Sequence, residues 1–330
     1  MITTAFTELV GCTAPIQQAP MGAISTPALA RAVAGAGGLG TVAVLPGGST
    51  GELEGRLDAL TAGLDAAPGA LAVNFLTEDV DPEQVELAAA RVRVIDFFWS
   101  APAADLVNRV HRAGALVSWQ VGSVGEAQAA ADAGADVVVV QGLEAGGHVR
   151  GRTATLPLLA AALDAVDVPV LAAGGIATGR ALAAVLAAGA AGARIGTRFL
   201  ASTESGAHPD YVAAVLAAGP DDTEITDRFA DCPLCRTEPR TRVLRSAVRA
   251  VEASGDPVVA TVPGPDGPEP VPRHSGLPPY RAIEGDIAAM ALYAGQSAGA
   301  IRAVAPAAEL VESLLGQAEA ALRARAGAPV

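Results

Sequence analysis

The strongest constraint on the fold is a rhythm. Along the first two thirds of the chain a short apolar run ends in a polar residue or glycine, and an alanine-rich segment follows. The apolar runs are Ile16–Ala19, Leu39–Leu45, Leu71–Leu76, Val92–Phe98, Ala115–Val121, Val137–Val140, Val170–Ala173 and Ala193–Gly196. The segments between them have the length and composition of helices, so the pattern reads as repeated βα units on a parallel sheet. Near-continuous Val, Ile and Leu suit strands buried on both faces. Eight such units over about 200 residues predict a closed (β/α)8 barrel of the TIM type. The competing architecture is an open doubly wound sheet. It would be favoured by a GxGxxG turn after the first strand, but Pro20-Met21-Gly22 stands there.

The rhythm breaks over residues 219–282, where residues 255–279 are dense in Pro and Gly and cannot be regular helix. Residues 1–218 therefore read as the barrel and 219–282 as an inserted cap. A helical pattern from Ile283 to the end (283–330) reads as the helices that complete the barrel.

Composition excludes several chemistries. All 22 basic residues are Arg, against 35 acidic ones, for a net charge of −13. Without lysine there is no Schiff-base amine and no Walker A loop. The acidic balance argues against a nucleic-acid partner. Three cysteines do not make a disulfide framework. Cys232 and Cys235 have half-site spacing for zinc without a second pair, so no metal is expected. The N-terminus lacks a basic region and a long apolar run, and no stretch is apolar enough to span a membrane. A cytoplasmic location is expected.

In this fold, chemistry belongs at the C-terminal ends of the strands. Ala19, Pro20 and Met21 follow the first strand. Asn74 ends the third, Gln120 the fifth and Gln141 the sixth. Ala173, Gly174 and Gly175 follow the seventh, and Gly196 and Thr197 the eighth. Glycine turns after the last two strands are the usual phosphate cradle, and backbone N–H groups can hold a dianion without lysine. Asn74, Gln120 and Gln141 are neutral amides suited to the carbonyl and imide edge of a flavin. His148 stands in the glycine-rich loop after the sixth strand, where an imidazole suits proton abstraction near neutral pH. The alternative is a histidine that only hydrogen-bonds the cofactor or a loop carbonyl. For Glu144 in the same loop, a solvated loop carboxylate or a backbone clamp is preferred over acid–base chemistry, and for Met21 packing beneath the ring.

These motifs are similar to those of the nitronate monooxygenases, formerly 2-nitropropane dioxygenases. The matching segments are Gln18-Ala-Pro-Met21, Gly37-Gly-Leu-Gly40, Val73-Asn74-Phe75, Gln141-Gly-Leu-Glu-Ala-Gly-Gly-His148, Ala172-Ala-Gly-Gly-Ile176, Gly196-Thr-Arg-Phe199 and Ala294-Gly-Gln-Ser-Ala298. The resemblance implies FMN as cofactor. Ala19, Pro20 and Met21 would line its ring; Asn74 and Gln141 would hydrogen-bond it, with Gln120 nearby. Gly146 and Gly147 would approach by backbone. Gly174, Gly175, Gly196 and Thr197 would hold the phosphate beside Ala173, and Gln296 would close that side. His148 matches the family's base, which takes the proton next to the nitro group of a neutral nitroalkane. An anionic nitronate needs no such step. The expected partners are the nitronate or nitroalkane and O2. Some relatives carry lysine at the position of Gln120, and residues 219–282 match poorly. The alternative function is an NAD(P)H-dependent FMN reductase of a quinone or enoyl thioester, for which Arg150 and Arg152 could serve a nicotinamide or phosphopantetheine pocket, although solvated loop arginines are the preferred reading.

Overall fold

The computed structural model describes residues 2–44, 48–63, 67–77, 80–232, 240–264 and 266–326. Its strands are β1 (Ile16–Gln18), β2 (Leu39–Ala43), β3 (Ala70–Thr77), β4 (Val94–Trp99), β5 (Leu116–Val121), β6 (Val137–Gln141), β7 (Gly147–His148), β8 (Val170–Ala173), β9 (Gly192–Ile195), β10 (Thr223–Thr226), β11 (Thr241–Leu244), β12 (Val258–Gly264), β13 (Gly267–Pro272) and β14 (Glu284–Gly285). β1 to β6, β8 and β9 form the closed parallel barrel, sealed where Ile16, Gln17 and Gln18 pair with Ala193, Arg194 and Ile195. The eight apolar runs are these eight strands. β2, β4, β6, β8 and β9 are buried at every residue, as strands covered on both faces must be.

The intervening helices begin where their caps begin. Thr26 and Thr178 accept from the third helical N–H, Ser49 and Glu52 form a reciprocal capping box, and Asp81 precedes Pro82. The helices pack their apolar faces on the outside of the barrel in one continuous core. Inside, the lower end is apolar: Leu39, Ala72, Val94, Val139 and Leu171 pack together and against Phe6 and Val10 of the helix Ala5–Val10. That helix closes the bottom, and polar side chains begin above this layer.

The cap differs from its expected bounds. A second apolar core runs from Leu200 to Ile301 and includes Tyr211, Phe229, Val243, Val251, Val271 and Leu292. Over this stretch β10 and β11 join β7 from the barrel rim in one small antiparallel sheet, and β13, β12 and β14 form another. Residues 283–306 hold β14 and two short 3-10 turns, Ile287–Ala289 and Gln296–Ala300, but no regular helix. The regular helix is Ala307–Ala326, which packs beside the helices Gly179–Ala187 and Pro27–Gly35 and completes the outer ring. The helical periodicity read from Ile283 onward came from apolar residues that the cap core buries without helix. Among the described residues no helix is long and apolar enough to cross a membrane.

Candidate active site

A cavity of about 670 Å3 opens at the C-terminal ends of the barrel strands, between the rim and the cap. Ala19, Pro20, Met21, Asn74, Gln120, Gln141, Gly146, Gly147, His148, Ala173, Gly174, Gly175, Gly196 and Thr197 all line it. Gln296 does not. Its side chain is exposed, its N–H goes to the carbonyl of Glu144, and its neighbours Gly295 and Ser297 face the cavity instead. A 3-10 turn places residues at 120° intervals, so the chain position of the motif does not decide which side chain points inward.

On one side the cavity offers backbone. Gly174 and Gly175 adopt φ of +108° and +75°, which other residues reach only with strain. Among the described residues the N–H groups of Gly175, Ile176, Gly196 and Thr197 donate to no backbone carbonyl. Unpaired N–H groups converging on a cleft fit a phosphate. The Thr197 hydroxyl accepts from Gly295 N–H at 3.1 Å and keeps its own proton to donate.

The floor is a buried polar network that sequence reasoning missed. Arg194 on β9 and Asp96 on β4 form an ion pair inside the barrel, with side chains 2% and 0% exposed. Arg194 Nε donates to Gln17 Oε1 at 3.1 Å and Nη1 to Gln120 Oε1 at 2.5 Å. Asp96 also accepts from Ser118 Oγ at 2.7 Å and Asn74 Nδ2 at 2.6 Å. Such a pair persists in a low-dielectric interior only because its remaining donors and acceptors are satisfied. The available signal was a lone charge inside each of two strands, Asp96 in Val94–Trp99 and Arg194 in Gly192–Ile195.

His148 is held from several directions. β7 pairs with β11, setting His148 opposite Thr241. Gln141 Nε2 donates to the His148 carbonyl at 2.8 Å, and its Oε1 accepts from Arg150 N–H at 3.3 Å. One N–H and one lone pair of the Gln141 amide are thus used by the loop. The imidazole lies edge-on to Trp99 and tilted against Tyr293, with ring centroids 5.8 and 5.6 Å away. Its Nε2 is 3.3 Å from Cys232 Sγ, while Cys235 lies outside the described residues. Trp99 adopts φ of +79°, a strained conformation for an aromatic residue, where β4 meets this wall.

The remaining charges near the rim are structural. Glu144 accepts from the Thr155 N–H and hydroxyl, both at 2.9 Å, and so clamps the start of the helix Thr155–Leu163. Arg150 donates to Glu126 at 2.6 Å and to the Trp99 carbonyl at 2.9 Å, and its guanidinium lies over the indole of Trp99. Arg152 is exposed. Burial lowers the guanidinium of Arg242, which donates to the Leu143 carbonyl, and Glu144 partly offsets that shift. Burial raises the Tyr211 phenol well above its ordinary range, so it stays a donor, here to the carbonyl of Tyr293. Met21, Leu76, Phe98, Leu200, Leu277 and Tyr280 give the upper walls an apolar surface.

A closed barrel with an anion cradle, an amide-edged floor and an imidazole on its wall is the framework of a barrel oxidoreductase. The model of the nitronate monooxygenase family matches residues 3–79 and 65–317. The chain is 32% identical to a nitronate monooxygenase of Pseudomonas aeruginosa, over 95% of this chain and 99% of that one. It is 38% identical to the (3aS,4S,5R,7aS)-5-hydroxy-7a-methyl-1-oxo-octahydro-1H-indene-4-carboxyl-CoA dehydrogenase of Rhodococcus jostii, over 77% and 69% of the two chains. Among solved structures it is similar to FabK from Thermotoga maritima (TM-score 0.82, 29% identity, 99% of each chain). It is also similar to a nitroalkane oxidase from Streptomyces ansochromogenes (TM-score 0.75, 32% identity, 98% and 100% covered). The chain belongs to the nitronate monooxygenase family, a family of flavin-dependent oxidoreductases.

Proposed function

We propose that the chain binds FMN in this cavity and oxidises alkyl nitronates and nitroalkanes with O2, giving a carbonyl compound and nitrite. The observation that carries the reading is the imidazole of His148, fixed at the cavity wall above the floor of Asn74, Gln120 and Arg194. FMN, when bound, supplies the electron transfer and the activation of oxygen. The unpaired N–H groups of Gly175, Ile176, Gly196 and Thr197 would hold its phosphate, and Ala19, Pro20 and Met21 would pack on its ring. His148 takes the proton from the carbon bearing a neutral nitro group, and the strand pairing and the Gln141 tether keep the ring on that wall. Closure of the cap over the rim, with its apolar walls, keeps water from the carbanion.

A second reading has its own observation. A 38% identical relative is named for a CoA thioester dehydrogenase. NAD(P)H-dependent reduction of a quinone or enoyl thioester would use the same cavity. Against it, Arg150 is occupied by Glu126 and Trp99 and offers no ready phosphate partner. Anaerobic mixing separates the two. Bleaching of the visible flavin absorbance by ethyl nitronate, with no bleaching by NADH or NADPH, is the expected result. Bleaching by a reduced nicotinamide alone transfers the reading to the reductase.

A further inference from the structure

The cavity floor presents its hydrogen-bonding groups in a fixed order, and what that order selects rests on the FMN reading above. Asp96 is a carboxylate and only accepts, so Asn74 must turn its NH2 toward it, at 2.6 Å. The Asn74 carbonyl oxygen is thereby left for the cavity that this residue lines. Arg194 only donates, so Gln120 must turn its oxygen toward it, at 2.5 Å, leaving its NH2 for the cavity. Arg194 spends Nε on Gln17, one Nη1 hydrogen on Gln120, and Nη2 on Asp96 and Ser118. Among the described residues its second Nη1 hydrogen has no acceptor. Arg194 lines the cavity and Asp96 does not, so the ion pair turns its positive end toward the ligand.

We propose that Arg194, anchored by Asp96, is the positive pole beneath the pyrimidine edge of the flavin, and that the Asp96–Arg194 pair sets the order in which that edge is read. Gln120 and Arg194 supply donors, and Asn74 supplies an acceptor. N1 and the C2 carbonyl of the flavin accept, and N3–H donates, so the two patterns are complementary. A chain with no lysine needs its buried cation from another residue, and Arg194 is the cation at this floor. Negative charge that develops on the ring during reduction is then met by a preoriented dipole that does not have to reorganise.

The test reads binding and potential, not turnover. Arg194→Gln is expected to weaken binding of reduced FMN at least tenfold more than binding of oxidised FMN. For this two-electron couple that lowers the midpoint potential of the bound flavin by about 30 mV. Arg194→Gln combined with Gln120→Lys, which returns a cation at the residue that Arg194 now bonds, is expected to restore the potential. A potential in Arg194→Gln equal to that of the unmodified protein overturns the proposal, and failure of the added lysine to restore it overturns the charge role. A third measurement needs no variant: N3-methyl FMN should bind at least tenfold more weakly than FMN, because its methyl group meets the Asn74 acceptor. Equal binding of the two overturns the assigned order. If the unmodified protein takes up FMN and the variants behave like it, only this inference falls. If it takes up no FMN at all, the FMN reading falls with it.

Discussion

The imidazole Nε2 of His148 lies 3.3 Å from the sulfur of Cys232, in the cavity that the buried amides of Asn74 and Gln120 also line. Positioned general bases of this kind contribute about 10²- to 10⁴-fold to a proton transfer. His148→Ala should therefore lower kcat/KM for a neutral nitroalkane by about that factor. Turnover of a preformed nitronate, which carries no such proton, should change less than about threefold. Steady-state assays on nitroethane and ethyl nitronate check this. Equal losses on both substrates would refute the base role.

Gln141, at the start of the loop that carries His148, bridges the His148 carbonyl and the Arg150 N–H and so pins the far end of that loop. Gln141→Leu keeps the volume and removes both bonds. A displacement of about 1 Å at a reacting group costs on the order of 10²-fold. Nitroalkane turnover should fall by about that much, while FMN affinity, measured by fluorescence quenching, changes far less. A loss of flavin affinity parallel to the loss of turnover would instead make Gln141 a direct flavin ligand.

The barrel was legible because strands buried on both faces must be apolar and their ends must be polar or glycine, so Val137–Gln141 or Val170–Ala173 declares itself locally. The loops at those ends then fall on the cavity by topology alone. Two kinds of feature were not legible. Asp96 and Arg194 stand in strands that are otherwise apolar, and which interior residue meets which depends on barrel closure, where Gln17 comes level with Arg194. The cap, from Leu200 to Ile301, buries its apolar residues through two nine-residue helices, short strands and 3-10 turns, so that no single period runs through it. For that reason Ser297 rather than Gln296 lines the cavity, Tyr211 escaped notice, and Cys232 was read only as half of a zinc spacing.

Glu144 stabilises a helix that has no cap of its own. Ala154 precedes the helix Thr155–Leu163 without a side-chain acceptor, and Glu144 reaches across to Thr155 in its place. A lost N-terminal acceptor costs roughly 0.5–2 kcal/mol, and loss of a negative charge at that end adds a few tenths more. Glu144→Ala should lower stability by about 1–2 kcal/mol in urea titration, and Glu144→Gln by less. Larger losses in the glutamine variant would place the role of Glu144 elsewhere.

Burial pushes the Cys12 thiol from an ordinary value of 9.0 up to about 12. The folded state therefore favours the neutral thiol. Stability from this group is complete below pH 9, and it falls as pH rises from 9 toward 12, where the unfolded chain ionises first. Between pH 8 and 10.5 the unmodified protein should lose about 2 kcal/mol more than Cys12→Ala does. Urea midpoints at the two pH values measure the difference. The same protonated thiol should resist iodoacetamide in the native protein at pH 8, as peptide mass spectrometry would show.

Two glycines at the rim should fail in different ways when a methyl group is added. At Gly146 a Cβ would stand 2.5 Å from the backbone nitrogen of Gly295 and 2.6 Å from the carbonyl carbon of Ala294. Neither neighbour can rotate away, so the loop that carries His148 and the C-terminal segment must part. Gly146→Ala should cost about 2–4 kcal/mol in stability and loosen the cavity. At Gly175 the nearest atom would be Glu144 Cβ at 3.5 Å, an ordinary contact, and only the φ of +75° opposes the change. That strain is about 1–2 kcal/mol. The added methyl group would also border the N–H groups assigned to the phosphate. Gly175→Ala should therefore stay folded yet bind FMN about tenfold more weakly, as a lost charge-assisted hydrogen bond requires. Measuring urea midpoints and FMN dissociation constants on both variants checks the contrast. If Gly175→Ala retained full FMN affinity, the phosphate would have to lie elsewhere on the rim.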